Sequence, residues 1–277
     1  MSIVNGYVTL ASYNRFAKNS TDSDRDIVLE DLIEEVSRFI DDETWRIFYP
    51  RVETRYHDTP ESGRELWVDG DLLEIITLTN GDDSTLSDSD YNLMPLNSSP
   101  RYGIKLLQSS SEIWDLDSSG NSEGVIDVLA IWGYHPDYAQ RAWATGSTVS
   151  DDSDITAAAT TIAVTALTLF EVDQLIRIED EICRITATDD STTKKLTVVR
   201  GENGSTAATH VDATVVYIWT PHSPVITACK QIVQNEYKRR YGEGTSTATV
   251  TAAGVVLTPD SIPGSAAKIL SNLKRVM

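Results

Sequence analysis

Residues 26–58 read DIVLEDLIEEVSRFIDDETWRIFYPRVETRYHD, and within this one stretch the periodicity changes from that of a helix to that of a strand. Apolar residues in the first half recur three and four positions apart, which predicts a helix over residues 24–40 with one apolar face. These residues are Leu29, Leu32, Ile33, Val36, Phe39 and Ile40. Ser23 or Asp24 is a suitable N-cap. Residues 51–57 then predict the first strand of a sheet.

Short runs of β-type sequence continue on both sides of a linker. Before the linker, turn-rich pieces separate runs that predict a small mixed or antiparallel sheet. These runs are residues 51–57, 65–68, 72–78, 91–94, 103–107 and 125–132. Residues 146–154 are rich in Ser, Asp and Thr and indicate the linker. The β-branched runs after it predict a self-contained all-β unit of roughly 75 residues, a size that folds alone. They are residues 161–165, 175–178, 182–186, 195–199 and 215–219.

Helical sequence returns after the β unit. Ser223 and Pro224 are a suitable cap and first helical residue, and they open a second long helix that Gly242 and Gly244 end. An arm rich in Thr, Ala and Gly follows to about residue 258. Pro263 then opens a short helix with its apolar residues on one side. These residues are Ala266, Ile269, Leu270, Leu273 and Met277.

Together these elements predict an α+β fold. We expect a helical body with two long helices and a small β-sheet, an inserted all-β domain, and a C-terminal arm with a short helix. The second long helix needs a partner for its apolar face, and the first helix is the natural one, so the β unit is expected to hang off the body as an appendage. The expected ranges are 1–146 for the first part of the body, 147–220 for the inserted domain, 221–243 for the second long helix, and 244–277 for the arm and short helix.

The charge of the chain is strongly acidic and uneven. The formal net charge is −19; residues 221–277 hold seven Lys or Arg and three Asp or Glu, which leaves −23 on the first 220 residues. This balance argues against gripping a phosphate backbone, which needs clustered Lys and Arg. Cys183 and Cys229 belong to no CxxC pair and are predicted to be buried and reduced, as in a reducing compartment. The sequence predicts neither a signal peptide nor a membrane-spanning segment.

Residues that carry chemistry form no recognisable catalytic or metal-binding motif. No two of the four histidines stand at the spacing of metal ligands; they are His57, His135, His210 and His222. The acidic clusters lack the ligand spacing of a calcium loop. The glycine-rich residues 200–205 lack the Lys-Ser/Thr of a phosphate cradle, so we predict a turn between strands there. We therefore expect no enzyme activity, no cofactor and no metal.

Five segments resemble a known family. Residues 40–48, IDDETWRIF, and residues 54–58, TRYHD, resemble the N-terminal signature of the head-to-tail adaptor (connector) family of long-tailed bacteriophages. Trp45 stands where that family often has glycine. Residues 72–106, with the DYNLMPLNSSP segment, and residues 125–135, VIDVLAIWGYH, resemble its middle part, and SPVITACKQIVQNEYKRR resembles its second long helix. The resemblance covers roughly residues 1–145 and 221–277.

The resemblance implies a structural virion protein of the phage neck, made in the host cytoplasm, that forms a ring of about twelve copies. The ring would join the portal of the DNA-filled head to a stopper or tail-completion protein. Genomic DNA would pass through its channel without sequence-specific binding, and no membrane is involved. The residues expected at the portal interface are Ile269, Leu270, Leu273, Lys274 and Arg275. Those expected at a ring or partner interface are Trp67, Trp143, Lys238, Arg239 and Arg240.

Three alternatives remain open. A stopper or tail-terminator protein of the neck would be mostly β and would lack two long helices. A glycan-binding or host-binding protein would act through the β unit at residues 148–220. An enzyme, such as an acidic hydrolase, would need a pair of carboxylates in a context that this sequence does not display.

Overall fold

The computed structural model describes residues 3–20, 22–61, 63–150, 154–190, 194–241, 249–250, 256–257 and 262–275. The chain is mostly β, with one five-stranded and one six-stranded antiparallel sheet and about 27% helix. The expected α+β fold, a helical body with two long helices and only a small sheet, is therefore wrong. Uninterrupted helical periodicity is conspicuous in a sequence, whereas strands alternate over few residues and are broken by bulges. The strands consequently hold more of the chain than their separate short signals indicate.

The α-helices of the described residues form one layer with its own core. They are α1 (Leu10–Ala17), α2 (Ser23–Thr44), α3 (Ser223–Tyr241) and α4 (Gly264–Leu273). The sequence analysis did not predict α1, which Thr9 caps by accepting a hydrogen bond from the Ser12 N–H. The apolar stripe of α2 packs against α3 and α4. Cys229 of α3 is buried in the same core. Each helix therefore buries its apolar face against the others.

The first sheet follows α2 along the chain. Its strands are β1 (Arg51–His57), β2 (Glu65–Thr79), β3 (Tyr91–Met94), β4 (Arg101–Leu106) and β5 (Ile126–Trp132), in the order β1-β5-β2-β4-β3. Two short predicted runs are joined in β2, which pairs with β4 up to Trp67 and again at Leu72, and with β5 from Leu72 onward. The register shifts between Trp67 and Leu72, so residues 68–71 form a bulge. After Leu72, which pairs with both neighbours, β2 continues against β5 alone.

The loops of the first sheet that follow β1, β2 and β4 meet at one end of it. Thr59 donates a backbone hydrogen bond to Ser122 at 2.8 Å, and Leu107 donates one to Asp90 at 2.8 Å. The side-chain amide of Asn80 donates to the carbonyl oxygen of Ile113 at 2.8 Å. The β2 bulge, the start of β1 and the end of β5 lie at the opposite end, because Arg51 and Leu72 both pair with Trp132.

The second sheet is made from the predicted all-β unit. Its strands are β6 (Trp143–Thr148), β7 (Thr161–Ala163), β8 (Leu175–Ile178), β9 (Glu181–Asp189), β10 (Lys195–Val199) and β11 (Val215–Trp219), in the order β6-β11-β8-β9-β10-β7. The sheet encloses its own apolar cluster, which includes Ile176, Ile185 and Val216. Residues 146–150 of the predicted linker belong to β6 or follow it directly, and residues 151–153 lie outside the described residues.

The second sheet is held to the rest of the chain by buried contacts as well as by its two chain connections. Leu73 and Ile131 of the first sheet share an apolar cluster with Leu175 and Trp219 of the second. The indole Nε1 of Trp219 donates to the carbonyl oxygen of Phe48 at 3.2 Å. The two sheets and the helical layer therefore pack on one another.

The predicted C-terminal arm is described only in part. β12 (Thr249–Val250) pairs with β13 (Val256–Leu257), while the rest of residues 242–261, with Gly242 and Gly244, lies outside the described residues. The predicted short helix is α4, and Met277 lies outside the described residues. In the described part of the chain, no helix combines the length and the apolar character needed to cross a membrane.

Candidate functional site

The connection from α2 to β1 places an arginine between the helical layer and the first sheet. Trp45 ends α2 with a left-handed backbone, at φ 57°, a position that glycine most often occupies. The chain turns there, so Arg46 reaches the bulge of β2. Its Nη1 lies 2.6 Å from Asp71 Oδ1, and its Nε donates to the carbonyl oxygen of Leu273 at 2.8 Å. One side chain thus joins the sheet to the end of α4.

The same bulge holds a second arginine. Arg55 Nη1 lies 2.9 Å from Asp69 Oδ1, and its guanidinium carbon lies 4.1 Å from the centre of the Trp132 ring. Gly70 makes this position available, because a Cβ atom there would lie 2.2 Å from Arg55 Nη1 and 3.0 Å from the Trp132 ring. Val68-Asp69-Gly70-Asp71 therefore supplies two carboxylates and the space for one guanidinium.

These residues line a pocket of about 180 Å³, which we call the arginine pocket. Its charged lining residues are Arg46, Arg51, Arg55, Arg275, Asp69 and Asp71, with Trp45 at its edge. The lining carries a formal charge of +2 on a chain of net charge −19. The arginines that form this basic site come from separate parts of the chain, so no run of basic residues predicts it.

Not every arginine of the arginine pocket has close ion-pair and hydrogen-bond partners among the described residues. Arg51 Nη2 lies 3.7 Å from Glu53, and the buried Arg51 Nε has no hydrogen-bond partner among the described residues. Burial raises the pKa of the Asp71 carboxyl, although Arg46 acts in the opposite direction. A planar guanidinium with an unmet N–H group is a good donor to a carboxylate or phosphate oxygen. The pocket therefore has the chemistry of an anion-binding site.

The residues expected at the portal interface lie on α4 and directly after it. Leu270 and Leu273 are buried in the helical core, and Ile269 packs against it. Lys274 lies 3.5 Å from Glu43 and is exposed, while Arg275 lines the arginine pocket. A contact through Leu270 or Leu273 requires α4 to leave this position, whereas Ile269, Lys274 and Arg275 are at least partly accessible in it.

Trp67, expected at a partner interface, is 65% exposed on the outer face of the first sheet. It pairs with Gly103 of β4, which in turn pairs with Met94 of β3. A Cβ atom on Gly103 would lie 3.0 Å from the Met94 side chain and 3.4 Å from the Trp67 ring. The absence of a side chain at Gly103 therefore leaves room for both the Trp67 ring and the Met94 side chain.

Trp143, the other expected aromatic anchor, lies between the two sheets. Its ring centre is 4.9 Å from that of Trp219, and its Nε1 donates to the Tyr138 hydroxyl at 3.1 Å. The Tyr138 hydroxyl donates to Glu74 at 2.6 Å, and Arg177 lies 2.8 Å from the same carboxylate. Most of the Trp143 side-chain surface is therefore in contact with other residues of the same chain.

The basic residues expected at a ring interface lie in the last turn of α3. Arg240 pairs with Glu35 of α2 at 2.6 Å and with Glu236 at 3.2 Å, and Arg239 pairs with Glu236 at 2.5 Å. Both arginines remain partly exposed, and Lys238 also has an interaction partner. The group contributes to the attachment of α3 to α2 and also presents charge to solvent.

The second sheet contains a buried charged cluster at the predicted glycine-rich turn. Arg200 Nε lies 2.6 Å from Glu181 Oε1, and His210 Nε2 lies 2.7 Å from Glu181 Oε2, with no exposure of the histidine or glutamate side chain. Arg200 also donates to the carbonyl oxygens of Ala159 and Ala208. Burial raises the pKa of Glu181, but hydrogen bonds from Arg200, the Ala208 N–H and His210 outweigh it and lower the pKa to about 2. The cluster ties neighbouring loops together.

The described residues bring no metal-ligand group together: none of their His, Cys, Asp and Glu side chains form a set of three or more placed to hold a metal ion. Burial raises the pKa of the Cys183 and Cys229 thiols, which favours the unreactive protonated form. His135 and His222 lie with ring centres 5.9 Å apart inside the packed aromatic cluster around Trp219.

Sequence reasoning missed the arginine pocket, and the only local signal for it was the DGD tripeptide beside an arginine-rich strand. Arg275 follows Arg46 by more than two hundred residues, so only the packing of α4 brings them together. No family model, curated protein or solved structure was found to match this chain.

Proposed function

We propose that this chain is a structural component of the neck of a long-tailed phage, forming a ring between the portal and the tail or stopper. The observation that carries the proposal is the placement of the segments that resemble the adaptor family. They fold into one unit, made of the helical layer and the first sheet, and the second sheet is inserted between β5 and α3. Segments distant in sequence thus form a common body.

The residues of the IDDETWRIF segment have structural roles in that body. Asp41 accepts a hydrogen bond from the Tyr7 hydroxyl, and Thr44 Oγ1 donates to the carbonyl oxygen of Ile40 at 2.7 Å. Phe48 is fully buried and meets Tyr7 edge to face, with ring centres 5.5 Å apart. The segment therefore ties the end of α2 to the helical core and places Arg46 beside Asp71 of the β2 bulge.

The acidic surface suits a channel for DNA. A net charge of −19 repels a phosphate backbone at long range, which lets DNA slide without adhering. The arginine pocket is a local exception to this surface, and Trp67 provides an exposed aromatic anchor of the kind found at protein interfaces. Protein partners are therefore favoured over nucleic acid.

Cryo-electron microscopy of the full chain mixed with portal rings encoded by the same genome tests the proposal. A cyclic assembly seated on the portal, with density for residues 262–275 against it, is the expected result. The absence of any complex with portal rings, whether these are empty or taken from DNA-filled heads, would overturn the proposal.

The β-rich fold also favours a second candidate within the neck. Stopper and tail-terminator proteins are mostly β, and this chain is about 27% helical with two antiparallel sheets. The 22 residues of α2 and the 19 of α3 argue in the other direction. Binding to isolated tail tubes but not to portal rings would select this candidate.

A further inference from the structure

We propose that the arginine pocket receives carboxylate side chains from the loops at the opposite end of the first sheet in a second copy of this chain. The partner is thus an acidic surface of an identical molecule, and the contact is head to tail. The choice of a second copy as the partner rests on the proposed ring. The choice of the two contacting surfaces rests on their opposite charges.

The first sheet has opposite charge at its two ends. The loops over residues 58–64, 80–90 and 107–125 contain ten Asp or Glu and a single basic residue, Arg64. Glu61, Asp82, Asp83 and Glu123 are among the exposed acids. The arginine pocket lies at the other end, beyond the seven residues of β5, which span roughly 20 Å. We call the loop end the acidic end.

The two ends are suited to a heterologous contact. Like ends repel each other in a strongly acidic chain, whereas the arginine pocket and the acidic end attract. A head-to-tail contact uses two different surfaces of each molecule, and it closes into a ring when the rotation between copies allows. The same arrangement repeated around an axis would use every pocket and every acidic end.

The pocket itself favours a carboxylate over a DNA phosphate. Asp71 and Asp69 neutralise Arg46 and Arg55, which leaves Arg51 and Arg275 to bind a single carboxylate. Two arginines are too few to hold the successive phosphates of a DNA backbone, which needs clustered cations. The buried and unpartnered Nε of Arg51 is the kind of group that a carboxylate oxygen satisfies, and Trp45 is 54% exposed beside it. Arginine and tryptophan together are typical of residues that dominate protein interfaces.

The test uses charge reversal on each surface of the full chain. Arg51→Glu with Arg275→Glu alters the pocket, while Arg46 and Arg55 keep their carboxylate partners. Glu61→Lys with Glu123→Lys alters the acidic end, where neither carboxylate has a described partner. Arg141→Glu with Lys195→Glu is the matched control, because it changes the net charge by the same amount as the pocket variant. A Gln pair at Arg51 and Arg275 replaces the Glu pair if that pair lowers the thermal midpoint.

Sedimentation velocity over a protein concentration series, at low and high salt, measures self-association. We expect the wild-type chain to associate, the pocket and acidic-end variants to associate about tenfold or more weakly, and the fourfold charge-swapped chain to recover. Added salt weakens the wild-type contact by screening. A wild-type chain that stays monomeric throughout, or a pocket variant that behaves like the control, overturns the inference.

Two further measurements separate the possible failures. If portal rings still recruit the pocket variant into a complete ring, the inference fails and the proposed function stands. If portal rings recruit neither the wild-type chain nor the pocket variant, the proposed function fails as well. Fluorescence anisotropy with a labelled DNA duplex addresses the other anion: DNA binding lost in the pocket variant, with self-association unchanged, would identify a phosphate ligand and overturn the inference.

Discussion

Arg46 donates a hydrogen bond from its Nε to the carbonyl oxygen of Leu273 at 2.8 Å, so the residue that follows the end of α2 also holds the last turn of α4. The same guanidinium pairs with Asp71 at 2.6 Å, and the two side chains are only 11% and 6% exposed. One residue therefore connects three parts of the chain: the helical layer, the first sheet and the C-terminal segment.

Arg46→Met is expected to destabilise the chain by about 3–5 kcal/mol, because it leaves the buried Asp71 without its cation. Urea unfolding measures the loss, and hydrogen exchange should show faster exchange in α4 than in α3. Arg15→Met is the control, since Arg15 pairs with Glu171 while 63% exposed and is expected to cost less than about 1 kcal/mol. Equal losses for the two variants would contradict the role of Arg46.

Glu181→Gln is expected to cost about 3–5 kcal/mol, because Arg200 then stays buried without its counter-charge. Glu179→Gln removes the partner on the other side of His210, but Glu179 is 57% exposed, so we expect less than about 1 kcal/mol. Thermal unfolding of the two variants at one pH gives the comparison. A Glu181→Gln chain as stable as Glu179→Gln would show that the buried cluster does not hold the loops.

Acidification is expected to destabilise the fold through His135. Burial lowers the pKa of His135 to about 4, and the nearby His222 acts in the same direction. A lowered pKa means that the unfolded chain binds the proton first, so the stability contribution is complete above pH about 6.5 and is lost as the pH falls through 4. The loss is at most about 3 kcal/mol, at roughly 1.4 kcal/mol per pKa unit.

The measurement is urea unfolding at several pH values for the wild-type chain and for His135→Asn, which keeps an acceptor for the Asp137 N–H that His135 now serves at 3.1 Å. The variant should lose less stability than the wild type between pH 6.5 and 4. Below pH 4.5 both chains should destabilise further, because the lowered pKa of Glu181 makes that carboxylate take up a proton only as the pH falls towards 2. Parallel curves above pH 4.5 would contradict the assignment.

Gly70→Ala is expected to displace the Arg55 guanidinium from the arginine pocket at a moderate cost in stability. The added Cβ would lie 2.2 Å from Arg55 Nη1, and this flexible end can move away, while the Trp132 ring at 3.0 Å must shift slightly. We expect a loss of about 1–2 kcal/mol together with weaker self-association. Gly264→Ala is the control, because nothing lies within 4 Å of its Cβ position. Unchanged self-association of Gly70→Ala would show that Arg55 does not contribute to the pocket's binding.

Trp67→Ala is expected to leave the stability within about 0.5 kcal/mol of the wild type, because the side chain is 65% exposed. If Trp67 anchors a partner, the variant should bind portal or neighbouring copies with about 2 kcal/mol less affinity. Trp132→Ala, at a 1% exposed core position, is the contrasting variant and should cost about 3–5 kcal/mol of stability. Unchanged assembly by Trp67→Ala would remove Trp67 from the interface.

The sequence by itself determined where most helices and strands lie. The apolar period of residues 24–40 identified α2, the Ser223-Pro224 start identified α3, and alternating runs identified most strands to within a few residues. These features depend on local periodicity, which each segment carries whatever its surroundings. The short α1 was missed because eight residues make only about two helical turns, too few repeats for the apolar period to be recognised.

Tertiary structure alone decided the balance of the fold and the location of the candidate site. The bulge at Gly70 joined two predicted runs into the 15-residue β2, and pairing across the sheets made the chain mostly β. The burial of Leu273 and the meeting of Arg46, Arg51 and Arg275 in one pocket arise from contacts between distant segments. Charged and apolar side chains interact with whichever residues the topology brings close to them. A single sequence does not identify those residues.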